Sequence, residues 1–161
     1  MADLSPPVPP LHVVLVAPQI PPNTGNAART CAVTGCRLHL VQPIGFSLAE
    51  KDLRRAGLDY WEDVAPEVHG SWAEFEARHV RGAAGRLHLF SARSERNLFG
   101  ATFSPGDFLV FGQEQLGLPP ALLAAWPERT VSIPMLPGQR SLNLAVSVGV
   151  GVYGALRSLS G

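Results

Sequence analysis

Lysine is almost missing from this chain: Lys51 stands alone against twelve arginines in 161 residues. Cysteine is nearly as scarce, Cys31 and Cys36 being the only two. Two thiols so close in sequence form no disulfide framework, and they read as buried thiols of a cytoplasmic protein. Two cysteines and scattered histidines fall short of a zinc ligand set, so no metal is expected. No apolar run has the length of a membrane span, and the N-terminus lacks the charged, apolar and small-residue pattern of a secretory signal. Net charge is absent as well, since 13 basic residues offset 13 acidic ones. That excludes a wholly basic nucleic-acid binder, while leaving room for a local basic face.

What is present is globular. At 46% hydrophobic and 16% charged, the composition is far from that of disordered chains, and the length suits one domain with a real core. Residues 1–10 hold four prolines and read as a flexible leader; residues 11–161 read as the domain. The arginine excess has two explanations. A planar, permanently charged fork suits phosphate and stacks on bases, and a compositional bias toward arginine gives the same count.

Residues 11–17 are short, apolar and β-branched and end at Pro18, the pattern of a buried parallel strand. Thr24 is placed to cap a helix that buries Ala27, Ala28, Cys31 and Ala32 and stops at Gly35. Further strands are expected over residues 37–41, 87–91, 108–111 and 131–133. Ser47 with Glu50, and Ser71 with Glu74, have capping-box spacing for helices reaching Gly57 and Arg81. Pro119-Pro120 opens a short helix to Trp126. Strands alternating with helices predict an α/β fold with a mostly parallel sheet and helices on both faces.

Residues 143–160 carry conflicting signals. Val146, Val148, Val150 and Val152 alternate as in a strand, while length and the following residues 153–157 favour a helix, which is the expectation. On that helix Ser147, Gly151, Gly154, Ala155 and Ser158 share one face, each glycine costing about 1 kcal/mol of propensity. Such a face predicts close approach of another element, a partner subunit being a candidate.

Three segments stand where an apolar run gives way to Gly, Pro or Asn: residues 23–29, residues 111–119, and residues 132–135 running into 141–144. Ligands of α/β proteins are held at such places, beyond the carboxyl ends of the strands. Gly112 and Gly117 suit close backbone approach to a ligand, and they are equally ordinary turn residues. Glu114 reads as a carboxylate that accepts backbone amides and fixes its loop, a general-base role being the rival. Asn23 and Asn143 can donate and accept at once, which suits locking a loop or touching a sugar; helix capping is an even alternative for Asn143. Lys51, Arg54 and Arg55 share a face of the second helix and form either a phosphate patch or a solvated surface. Arg93 and Arg96, beyond a strand end, would extend the patch.

In order, residues 21–26 with Arg29, residues 54–60, residues 111–114 with 117–119, and residues 141–143 resemble the SPOUT superfamily of trefoil-knotted RNA methyltransferases. Within it the chain is most similar to the small tRNA (cytidine/uridine-2′-O)-methyltransferases of the wobble nucleotide, over about residues 11–157. The resemblance implies a C-terminal trefoil knot, S-adenosyl-L-methionine as cofactor, tRNA as substrate, and a homodimer with active sites at the subunit interface. By the same resemblance Phe90, Gly112, Ile133, Met135, Ser141 and Leu142 cradle the cofactor. Arg29, Asn23 and Tyr153 are implied as the catalytic group, Tyr153 reaching the partner's site, with core packing as its rival.

A ribose 2′-hydroxyl is a poor nucleophile, and an arginine stays protonated. The role expected of Arg29 is therefore to grip the neighbouring phosphate and hold the hydroxyl in line with the methyl group. A part in removing the proton, aided by a neighbour or the phosphate, stays open. Two positions depart from the family: Ala145 stands where a serine is usual, and Gly154 where an acidic residue is common. Methylation of another tRNA position or of ribosomal RNA, and an RNA-binding dimer without activity, are the alternatives.

Overall fold

The computed structural model describes residues 2–55, 60–83 and 86–161. Six strands, β1 (His12–Val16), β2 (Arg37–Val41), β3 (Glu67–His69), β4 (Leu87–Phe90), β5 (Phe108–Phe111) and β6 (Thr130–Val131), form one sheet. Their order is β3-β2-β1-β5-β4-β6, and each neighbouring pair is parallel. The chain thus lays strands outward from β1 in one direction, then crosses to β4, β5 and β6 on the other side. The order reverses between β1 and β5.

Side chains of a strand alternate between faces, and the two faces bury different sets. Val13, Leu15, Leu38, Leu40, Leu109 and Phe111 enter the core beneath α1 (Pro21–Thr34) and α6 (Leu144–Leu159). Val14, Val16, Val41, Leu89 and Val110 enter the core that also holds Phe75 and Leu122. Those two belong to α4 (Trp72–Phe75) and α5 (Pro120–Ala125). Each such side chain contributes about 1.5–3 kcal/mol on full burial. Helices accordingly cover both faces, as the alternating pattern predicts.

Several local expectations need correction. α1 starts at Pro21, not after Thr24, because Pro21 and Pro22 occupy its first turn, where a missing N–H costs nothing. Thr24 lies inside the helix, fully buried, and its hydroxyl has no hydrogen-bond partner among the described residues. Ala32 is exposed, because the inward stripe runs through Ala28, Cys31 and Thr34. Gly35, at φ 75°, ends the helix as expected.

Ser47 forms no capping box. Its Oγ accepts from Ala49 N, and Glu50 opens α2 (Glu50–Arg55) with its carboxylate on Arg54 at 2.6 Å. The expected helix end at Gly57 lies outside the described residues. Ser71 does cap α4, accepting from Glu74 N, while Glu74 Oε2 reaches back to Gly70 N at 2.8 Å. α4 runs on into a π-turn (Glu76–Val80), closed by Arg81 N on Glu76 O at 3.0 Å.

Residues 143–160 resolve in favour of helix. Of the small residues of α6, Gly151, Gly154 and Ala155 face the chain's own core, whereas Ser158 is exposed. A Cβ on Gly151 would stand 3.0 Å from the ring tips of both Phe90 and Phe111, and one on Gly154 would stand 2.9 Å from Leu98. The exposed stripe of α6 is Val146, Val150 and Tyr153 instead.

The histidines are scattered only in sequence. β2 and β3 bring His39, His69 and Glu67 together, and the π-turn adds His79. The fifth histidine, His88, sits apart, fully buried in β4. Its Nε2 lies 2.8 Å from Asp107 Oδ2, and its Nδ1 lies 3.4 Å from Arg96 Nη2. An arginine can only donate and a carboxylate only accept, so Nε2 carries the proton and the ring is neutral. Burial pushes the His88 pKa down, outweighing the upward pull of Asp107. The unfolded chain takes up that proton near pH 6.5, so this contribution to stability is lost as pH falls from about 6.5 toward the lower folded value. His88→Gln removes it. Between pH 7 and pH 5 the urea midpoint should fall less in the variant than in the wild type, and equal falls would refute the assignment.

Candidate functional site

A crevice forms where strand order reverses, because the chain leaves neighbouring strands in different directions. Here that point lies between β1 and β5, which pair as far as Leu15 with Phe111. Beyond β1 the chain enters α1; beyond β5 it enters the loop that begins at Gly112.

Three side chains bind this junction together. Glu114 accepts from Gln19 N at 2.9 Å, Ile20 N at 2.7 Å and Asn23 Nδ2 at 3.2 Å. Asn23 Oδ1 accepts from Asn143 Nδ2 at 3.0 Å. Asn143 Oδ1 then accepts from Ala145 N at 2.8 Å and Val146 N at 3.2 Å, capping α6. The order of donors is forced. A carboxylate only accepts, so Asn23 must turn its NH₂ to Glu114 and its oxygen to Asn143. The helix amides only donate, which fixes Asn143 the same way. Both amides are therefore oriented by their partners.

The loop after β5 depends on glycine for close approach. A Cβ on Gly112 would overlap the Gly117 carbonyl carbon and the Leu118 nitrogen. Gly117 itself takes φ +68°, donates to Gln113 O at 3.0 Å and returns the chain toward the sheet. The result is a cavity of about 800 Å³ with walls from β4, β5, the segment after β6 and the start of α6. That volume lies in the range of small-molecule and cofactor sites. Phe90, Gly112, Ile133, Met135, Ser141 and Leu142 all line it, although they come from four separate stretches of chain. Phe90 and Phe111 stack at 4.4 Å between centroids beneath Gly151, closing its inner end. Glu114 also lines the cavity, between its bonds to α1 and the open space.

Other residues are placed elsewhere. Arg29 lies outside the cavity, exposed on α1, with its guanidinium 4.7 Å above the Tyr60 ring. Tyr153 is 53% exposed on the outer face of α6. Lys51, Arg54 and Arg55 are exposed on α2, Arg54 held by Glu50. Residues 56–59 of the adjoining motif lie outside the described residues. Arg93 turns out to line the cavity, so it does not simply extend the patch on α2. Arg140, which sequence reasoning passed over, lines it too, and its place just before Ser141 was the available signal. Arg96 serves the structure, bonding Thr130 O and the His88 ring.

A model of the SpoU rRNA methylase family matches residues 10–153. The chain belongs to this family. It is therefore a methyltransferase of the SpoU type, and the parallel sheet with helices on both faces is that family's fold. Among relatives, the tRNA (cytidine(34)-2′-O)-methyltransferase of Burkholderia pseudomallei (strain 1106a) is 49% identical over 147 residues, 91% of this chain and 94% of the relative. The enzyme of that name from Escherichia coli (strain K12) is 44% identical over 151 residues, 92% of this chain and 94% of the relative. A solved structure described as giving insights into 2-OH methylation of C/U34 on tRNA is 51% identical, with a TM-score of 0.85 over 94% of this chain and 97% of that one. The SpoU methyltransferase AviRb of Streptomyces viridochromogenes, solved with AdoMet, shares the fold at a TM-score of 0.76 and 24% identity, over 93% of this chain and 58% of that one. Among the described residues no helix is long and apolar enough to cross a membrane.

The junction makes a clear prediction for this family member. Glu114→Gln leaves one acceptor oxygen where three donors converge, and should lower stability by about 1–3 kcal/mol in urea denaturation. Because the same residue borders the cavity, cofactor affinity in calorimetry should fall with it. Unchanged stability would show that the junction bonds carry no net free energy.

Proposed function

We propose that the chain transfers a methyl group from S-adenosyl-L-methionine to the ribose 2′-oxygen of the cytidine or uridine at position 34 of tRNA, as a cytoplasmic homodimer. The observation that carries this reading is the gathering of Phe90, Gly112, Ile133, Met135, Ser141 and Leu142 around one cavity beyond the carboxyl ends of β4, β5 and β6. The relatives named for position 34 support the substrate, since they match nearly the whole chain at 44% and 49% identity. On the same family grounds, the segments after β4 and β6 form the trefoil knot.

The cofactor supplies an electrophilic methyl group on a sulfonium. Bound in the cavity, it would offer that methyl to the 2′-oxygen, with the carbon–sulfur bond breaking and the hydroxyl proton leaving to solvent or phosphate. Ile133 and Leu142 supply apolar walls suited to an adenine, and the backbone about Gly112 approaches closely because no Cβ intervenes. Arg29 positions the RNA. Stacking on Tyr60 engages the face of its guanidinium, whereas a phosphate takes the N–H edges. Lys51 and Arg55, exposed on α2, extend the contact along the RNA backbone.

Arg29 lies outside its own chain's cavity, which fits a site completed between two subunits. The exposed stripe of Val146, Val150 and Tyr153 on α6 is the apolar face that a second copy would cover. Tyr153 is then brought toward the other subunit's cavity.

Nucleoside mass spectrometry of tRNA incubated with the protein and S-adenosyl-L-methionine tests the reaction; absence of a 2′-O-methylated nucleotide at position 34 would overturn it. Arg29→Ala should lower the methylation rate by about 100-fold or more, with cofactor affinity nearly unchanged. A variant as fast as wild type would remove Arg29 from the mechanism. Val150→Glu should yield a monomer by light scattering, and that monomer should be inactive. A fully active monomer would refute the shared site.

A further inference from the structure

Four of the five histidines lie together on the Phe75 side of the sheet, and methyl transfer uses none of them. The fold assembles them by register. His39 of β2 pairs with Glu67 of β3, and His69 follows two residues later on the same face. The π-turn at residues 76–80 then brings His79 onto Glu67 at 3.2 Å. Turns of this kind, rare in helices, recur at functional sites.

The polar atoms converge. His39 Nδ1 lies 3.1 Å from His69 Nε2 and 3.5 Å from Glu67 Oε2, and Glu67 Oε1 lies 3.8 Å from His69 Nε2. One ligand atom from each of His39, Glu67, His69 and His79 stands within 4.8 Å of every other. A tetrahedral zinc shell with bonds of about 2.0–2.1 Å spaces its ligand atoms about 3.3 Å apart. Without a metal, one ring nitrogen donates to the other and Arg78 and His79 hold the carboxylate. A cation at the centre would instead be shared by all of these atoms.

We propose that His39, Glu67, His69 and His79 bind one zinc ion that clips the edge strand β3 and the π-turn onto the sheet. Four protein ligands leave no open position, which marks the site as structural. Supporting bonds are in place around it. His39 Nε2 lies 2.8 Å from His12 Nδ1, and Arg78 Nη1 donates to Glu67 Oε1 at 2.8 Å. Three of the four also hold the protonation that a metal requires. Burial pushes His39 down to about 3 and lowers His69. Glu67, although burial opposes it, is drawn down to about 2 by hydrogen bonds from Arg78 and His79.

Full-length protein without an affinity tag, stripped with EDTA and titrated with zinc chloride, tests the site. One zinc per chain by mass spectrometry and a rise in Tm of about 5 °C or more, reversed by EDTA, are expected. Cobalt in place of zinc should give the strong visible bands of a tetrahedral centre. His79→Gln, at a half-buried position, should keep the wild-type circular dichroism. Its zinc affinity should fall further than the roughly 10–100-fold lost with a supporting partner, and Glu67→Gln should behave alike. No uptake by wild type at micromolar zinc, or equal uptake by both variants, overturns the proposal. Should a variant fail to fold, wild-type stoichiometry and the cobalt spectrum decide.

Discussion

The relay from the first turn of α6 through Asn143 and Asn23 to Glu114 is the constraint on which the site depends. It joins three segments that are far apart in sequence, and it does so with side chains that cannot be exchanged freely. An alanine at Asn23 would strand an acceptor need on one side and a donor on the other. Asn23 is 8% exposed, so water is a poor substitute for either partner. A carboxylate at its acceptor end and helix amides at its donor end give the chain of bonds one direction, and bonds aligned this way reinforce one another. The cavity is consequently shaped by polar bonds at its rim as well as by apolar packing beneath.

That packing turns on α6. A helix rich in glycine is intrinsically weak, and propensity alone would argue against it. The loss is offset by approach: Gly151 lets the helix settle on the stacked rings of Phe90 and Phe111, and Gly154 lets it settle on Leu98. The same contact places Leu144 and Ser147 at the cavity wall. Stability and site geometry are thus one feature, because any side chain that lifted α6 from the rings would also open the cavity.

The parts legible in the sequence were those with a strong local signal. β2 and β5 have the expected limits, and Gly35 ends α1, because short apolar runs and an αL glycine need no tertiary information. Thr24 misled because a threonine after prolines resembles a cap, whereas Pro21 and Pro22 had already fixed the first turn. β3 has only three residues and α3 (Trp61–Val64) only four, too few for any periodicity to register. The six residues around the cavity were reached through family wording, and nothing in their local pattern distinguishes Ile133 or Leu142 from core. The inward direction of the glycine face on α6 could not be read either, since a small-residue stripe looks the same whatever approaches it. The histidine cluster was invisible for a further reason: strand register and a π-turn bring together residues up to 40 positions apart, His39 to His79.

Ala145 is the residue that most directly tests how much chemistry the protein must supply. Its backbone nitrogen is held by Asn143, so the start of α6 keeps its cap without any hydroxyl at this position. The methyl group of a sulfonium is already activated, and in the proposed transfer positive charge at sulfur disappears as the oxygen gains a bond. The demand on the protein is then alignment of the oxygen with the carbon–sulfur axis, and shielding of the developing charge, more than strong basicity. Alignment is what a rigid junction and an arginine on a phosphate provide. A serine at this position would add a hydroxyl at the start of α6; its absence leaves the cavity, the junction and Arg29 untouched. On this reasoning the proposed reaction survives the departure from the family pattern, and the work of positioning falls on Arg29 and the Asn143–Asn23–Glu114 relay.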